Sequence, residues 1–259
     1  MNNTAHLVNQ LVRREVSSQF KGSVLGFAWA FARPLLMLVV YAFVFGVIFR
    51  RDVEGEPLGA YAVSMFLGLS IYTIFSSSIS ASCMSIVNRR GLVQQVVFPL
   101  VVLPLVQVMS SLVLSIPWFI LLLIGVFIVH GAIPWTVLFL PVWLVPLFLL
   151  TQGLAWFVAS LGVYFRDMKQ LVPVLLQILF FMSPIFWRLD PIMARHPELV
   201  QYLMLNPLTV IIEETRRLVF NGAMPNWCLW GLVTAGTAIV FALGYAWFSK
   251  TKKGFADVI

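Results

Sequence analysis

Apolar residues in this chain form long unbroken runs instead of the spaced stripes of a half-buried helix or strand. Gly91–Phe165 holds 75 consecutive residues without Asp, Glu, Lys or Arg, and Pro57–Asn88 and Leu218–Ser249 hold 32 each. A bilayer crossing needs roughly 20 predominantly apolar residues. Breaks at Gly, Pro and charged clusters divide the runs into six predicted helices: Phe27–Phe49, Tyr61–Ser82, Phe98–Val129, Trp135–Tyr164, Leu171–Trp187 and Asn226–Phe248. His130-Gly131-Ala132-Ile133-Pro134 splits the longest run in two. The pattern predicts an all-α integral membrane protein with six transmembrane helices.

Two segments do not fit a span. Over residues 4–21, Leu7, Leu11, Val12, Val16 and Phe20 recur on one helical face, with Arg13, Arg14 and Lys21 elsewhere. That is the pattern of an N-terminal amphipathic helix lying in the membrane interface. Residues 188–225 contain Asp190-Pro191, Asn206-Pro207 and Glu213 to Arg217, with a longest charge-free run of 14 residues, Leu199–Ile212. Such a run is too short to cross and too apolar for a solvated loop, so an outer re-entrant helix pair with its turn near Asn206-Pro207 is expected. It is either a gate or a lid packed on the other helices. The domain reading is 1–26 for the interface helix and 27–259 for the transmembrane domain.

Composition agrees with the pattern. Of 259 residues, 61% are hydrophobic and only 10% charged, against about 45–50% and 25% in soluble domains. The net charge of +7 does not point to nucleic acid, because most of the basic residues flank apolar runs. The connecting segments on one side carry 11 Lys and Arg and a net charge of +8; those on the other carry 6 and a net charge of −1. The positive-inside rule then puts both termini in the cytoplasm. It also puts Cys83 and Cys228 on opposite sides of the membrane, unable to bond each other. With no cleavable signal in the polar N-terminus, the first apolar segment is expected to stay in the mature protein.

Catalytic and nucleotide motifs are missing. The sequence holds no Gly-x-x-x-x-Gly-Lys-Ser/Thr loop, no His-Glu-x-x-His and no Gly-x-Ser-x-Gly. No Asp or Glu falls inside a predicted span, so the intramembrane carboxylates common in ion-driven carriers are lacking. The spans offer aromatic residues instead. Tyr41, Phe45 and Phe49 share a face, and Tyr72, Phe75, Phe180, Phe181, Phe186 and Trp187 add to the supply; aromatic rings stack on sugar C–H faces without selecting one sugar. Ser76, Ser77, Ser78, Ser80, Ser82 and Ser85 form either a polar helix face or a close-packed interface, while Gly236 and Gly244 read as helix packing.

Phe20-Lys21-Gly22-Ser23-Val24-Leu25-Gly26-Phe27-Ala28-Trp29, followed by Arg33-Pro34, resembles the membrane subunit of type-2 ABC exporters. Tyr164-Phe165-Arg166-Asp167, Ser183-Pro184-Ile185, Asn206-Pro207-Leu208 and Glu213 to Arg217 extend the likeness over essentially the whole chain. They direct it to the O-antigen, capsule and teichoic-acid polysaccharide branch. The resemblance implies a homodimer in the bacterial inner membrane that binds two copies of a separate cytoplasmic ABC ATPase. ATP and Mg would sit on that partner, with no cofactor on this chain, which would be a transport subunit and not an enzyme. The substrate implied is a glycan carried on undecaprenyl diphosphate, crossing among membrane lipid. ATPase coupling would involve Arg13, Arg14, Arg89, Arg90, Arg166 and Asp167. An outer gate would involve Pro184, Asn206, Pro207, Glu213, Glu214, Arg216 and Arg217. Trp29, Arg33, Tyr41, Phe45, Tyr72, Phe75 and Phe186 are the candidate path residues, with Arg33 meeting the lipid diphosphate. The alternatives are an ABC exporter of a small molecule or drug, an ion-coupled secondary transporter or flippase, and a structural scaffold.

Overall fold

A computed structural model describes residues 2–44, 58–89, 91 and 98–258, and among these residues the regular structure is entirely helical. In order the helices are α1 (Asn2–Ser18), α2 (Trp29–Phe43), α3 (Leu58–Cys83), α4 (Val102–His130), α5 (Leu140–Trp143), α6 (Val145–Tyr164) and α7 (Met168–Met182). There follow α8 (Leu189–Arg195), α9 (Pro197–Met204), α10 (Pro207–Phe220), α11 (Trp227–Thr251) and α12 (Phe255–Val258). Among the described residues five segments are long and apolar enough to cross a bilayer: Gly26–Phe43, Gly59–Cys83, Val102–His130, Trp135–Tyr164 and Trp227–Gly254.

The predicted fifth span, Leu171–Trp187, takes a different form. Helix α7 begins earlier and stops at Met182 after 15 residues, about 22 Å of rise. Ser183 precedes a proline, which disfavours helical backbone, and it is extended at φ −93°, ψ 146°. Its hydroxyl turns back to donate to the Leu179 carbonyl at 2.8 Å. Phe186 and Trp187 therefore lie in the turn beyond the helix. Of the predicted first span, Trp29–Phe43 is helix; Phe45 and Phe49 fall outside the described residues. The outer segment forms three short helices, α8 to α10, where two were expected, and the Asn206-Pro207 turn separates the last two.

Helix α3 is the centre of the molecule. Most of it is apolar and buried, and it touches α2, α4, α6, α7 and α10. Phe66, Leu67, Ile71 and Ile74 are fully or almost fully buried. Gly131, at φ +72°, closes α4 in the left-handed conformation and accounts for the break in the longest run.

The most extensive helix pair is α6 with α11, built on glycine as in close membrane crossings. A Cβ on Gly153 would sit 2.6 Å from the Val240 carbonyl oxygen, and one on Gly244 would collide with the Gly153 carbonyl. Gly162 likewise lets α6 lie on the backbone of Cys83. Below this crossing Trp156 packs on Phe241 and Tyr245, with ring centroids 4.9 and 5.3 Å apart. Phe255, at the start of α12, is buried against Phe248 at 5.5 Å. Gly236, by contrast, faces open space.

Candidate transport path

Two clefts flank the α3 helix. The larger, about 910 Å³, lies between α2, α3 and α4. Trp29 and Arg33 enter it from α2, Ser77 and Ser80 from α3, and Gln107, Ser110, Ser111 and Ser115 from α4. The smaller, about 390 Å³, lies between α2, α3 and α7 and is lined by Tyr41, Tyr72, Ser76, Gln177 and Phe180. Thr73, Ser77 and Ser80 belong to both. The serines thus divide by face. Ser78, Ser82 and Ser85 are buried in packing, while Ser76, Ser77 and Ser80 face the clefts. A hydroxyl that donates one turn back, as Ser78 does to the Ile74 carbonyl at 2.6 Å, is satisfied within its own helix.

Aromatic rings line the smaller cleft and continue toward the Ser183 break. Tyr72 and Phe180 are 5.1 Å apart, Phe180 and Phe186 5.0 Å, and Phe186 and Tyr41 5.6 Å. The Tyr72 hydroxyl donates to the Leu176 carbonyl, fixing its ring against α7. The structure therefore joins Tyr41, Tyr72 and Phe186 of the predicted path into one cluster and places Trp29 and Arg33 in the neighbouring cleft. Phe75 is different. It is 2% exposed, packs on Tyr72 at 6.2 Å and lines neither cleft, so it is a core residue and not a path residue. Phe45 lies outside the described residues.

The polar residues of α4 and Gln177 were not among the predicted path residues. A signal was present: Gln107, Ser111 and Ser115 recur every four residues in an otherwise apolar helix, which puts them on one face.

On the outer segment, Arg216 is 5% exposed and organises its surroundings. Its guanidinium donates to the Ile185 carbonyl at 3.1 Å, the Trp187 carbonyl at 3.3 Å and the Glu213 carboxylate at 2.8 Å. Burial pushes its pKa below the ordinary arginine value, and Glu213 works in the opposite direction. A Cβ on Gly68 would come within 3.3 Å of the same guanidinium, so α3 leaves room for it. Asn206 caps α10 by accepting from the Leu208 N–H at 3.1 Å, and its amide reaches the Ser183 hydroxyl at 3.3 Å. Pro184 is buried, and Pro207 opens α10. Glu214 pairs with Arg217 at 2.5 Å. Arg216 and Asn206 thus tie α10 to the end of α7 at two points, while Glu214 and Arg217 pair with each other along α10.

The predicted coupling residues separate into two groups. Arg89 forms an ion pair with Glu15, joining the turn after α3 to α1. The half-buried face of α1, with Leu7, Leu11, Val12 and Val16, packs beside α4. Arg13 and Arg14 are exposed on the opposite side, and Arg166 and Asp167 are exposed in the α6–α7 turn. Arg90 lies outside the described residues. Among the described residues no three His, Cys, Asp or Glu side chains cluster as a metal site.

The profile of the ABC-2 type transporter family matches residues 6–220, and this chain belongs to that family. An O-antigen export system permease protein, RfbA of Myxococcus xanthus, is 30% identical over 257 residues, covering 98% of this chain and 95% of its own. A Klebsiella pneumoniae protein of the same name is 27% identical, with 99% and 97% covered. The polysialic acid transport protein KpsM of Escherichia coli is 25% identical, with 92% and 91% covered.

Proposed function

We propose that this chain is the membrane subunit of an ATP-driven exporter that carries a polysaccharide, built on undecaprenyl diphosphate, outward across the bacterial inner membrane. The observation that carries this reading is the near full-length similarity to relatives named for O-antigen export and polysialic acid transport. The clefts along α3 add a chemical reason. Hydroxyls and amides can exchange hydrogen bonds with a sugar chain, and rings offer flat faces to its C–H groups, so a repeating polymer meets no single tight site.

In this reading the five long segments and the shorter α7 make six crossings. The termini are cytoplasmic, two copies form the conduit, and two copies of a cytoplasmic ABC ATPase bind ATP and Mg and drive it. Helix α1 and the α6–α7 turn receive the ATPase motion. Helices α9 and α10 form the re-entrant pair, with Arg216 fastening this outer gate to α7.

Deleting the gene should remove the surface polysaccharide and leave its lipid-linked form inside. Reconstituting the chain with its ATPase should give export that needs ATP. Surface glycan that persists after deletion, or export driven by an ion gradient without the ATPase, would overturn the proposal.

A further inference from the structure

The two clefts on α3 are chemically unlike. The α2–α7 side is rimmed by rings and runs toward the Ser183 break. The α2–α4 side is rich in hydroxyl groups and holds Arg33 at its α2 edge. From Ser80 to Ser70 it climbs about 15 Å along α3. Trp118 is its last lining residue on α4, and the indole lies flat on Phe66 at 5.4 Å with the planes 10° apart. A stacked pair of buried rings is a floor, so this cleft does not continue as a conduit.

Ser70, Ser77 and Ser115 donate back into their own helices, but other polar groups of the cleft lack protein partners. Among the described residues Arg33 makes no ion pair, and Gln107, Ser80 and Ser111 make no side-chain hydrogen bond. Gln107 is 7% exposed, and the Ser110 hydroxyl is buried without a partner. Polar groups at membrane depth are costly unless water or a ligand meets them. A guanidinium presents a planar fork that matches phosphate oxygens. Arg33 is exposed about one turn beyond Trp29, in the first part of α2.

We propose that the α2–α3–α4 cleft docks the diphosphate head of a polyprenyl carrier, Arg33 holding phosphate while Gln107, Ser80 and Ser111 hold the first sugar. The inference rests on the export reading and extends it. Each subunit then has its own seat for the fixed end of the glycan, apart from the ring-lined groove through which the chain passes.

The test uses the full chain with its ATPase in phosphatidylcholine vesicles, carrying Cys228→Ser and Ser111→Cys. A soluble maleimide should label position 111, and polyprenyl diphosphate in the vesicles should slow labelling at least tenfold. Inorganic diphosphate and phosphatidylglycerol should not slow it. Arg33→Ala should abolish the protection and Arg33→Lys restore part of it; Gln107→Leu, which leaves the charge in place, should weaken protection by sugar-bearing polyprenyl diphosphate and leave protection by the bare diphosphate unchanged. No labelling without ligand, no slowing by polyprenyl diphosphate, or equal slowing by phosphatidylglycerol or inorganic diphosphate would overturn the site. Export is measured on the same vesicles loaded with lipid-linked glycan. ATP-driven export without protection removes this site alone, whereas protection without ATP-driven export removes the export reading alone.

Discussion

A methyl group added at Gly244 would land on the backbone of α6, whereas one added at Gly236, two turns earlier on α11, meets nothing. Gly244→Ala should therefore cost about 1–3 kcal/mol through overpacking, and Gly236→Ala should leave thermal stability in detergent unchanged. Arg216 is the other residue whose surroundings set a clear expectation. Two carbonyls and a carboxylate accept from one buried guanidinium, and removing one partner of a buried pair costs about 3 kcal/mol or more. Arg216→Gln should lower the unfolding temperature and make the Ser183–Trp187 turn accessible to protease. Arg216→Lys should restore part of the stability but not the grip on both carbonyls, because an ammonium has no planar fork.

Among the elements, α1 is held to the bundle by an apolar face and by one ion pair. The Glu15–Arg89 pair is about a quarter exposed on each side, where such pairs contribute about 1 kcal/mol or less. Glu15→Arg should speed amide exchange along α1, and the charge swap Glu15→Arg with Arg89→Glu should slow it again; unchanged exchange in the single variant would remove the pair as a tether. The helices themselves were largely legible in the sequence. Long apolar runs and the Gly131 stop place α3, α4 and α11 to within a few residues, because a run without charges has few other stable forms in a bilayer; the predicted Trp135–Tyr164 helix instead divides into a 3₁₀ turn, α5 and α6. The end of α7 was not legible, although Ser183-Pro184 marks it. Apolarity continues through Phe186 and Trp187 after the helix has stopped, so the run outlasts its conformation. Of the candidate site, the rings were legible by type and the cleft-facing hydroxyls were not. A serine buried between helices and one that faces a cavity look alike until neighbouring helices are placed.

At the scale of the molecule, the two cysteines report the arrangement. Cys83 is 2% exposed and Cys228 is exposed, and neither is bonded. A membrane-impermeant maleimide on intact cells should label Cys228 and not Cys83; labelling of Cys83 under those conditions would invert the topology. Burial under α6 should also protect Cys83 from a cytoplasmic reagent until the protein is denatured. One further consequence comes from the length of α7. At about 22 Å it falls short of a hydrocarbon layer of about 30 Å. Bilayers adjust to such a mismatch by pinching inward. Beside α7 the membrane is expected to be locally thin, which shortens the greasy distance a charged head group must travel at this flank of the protein.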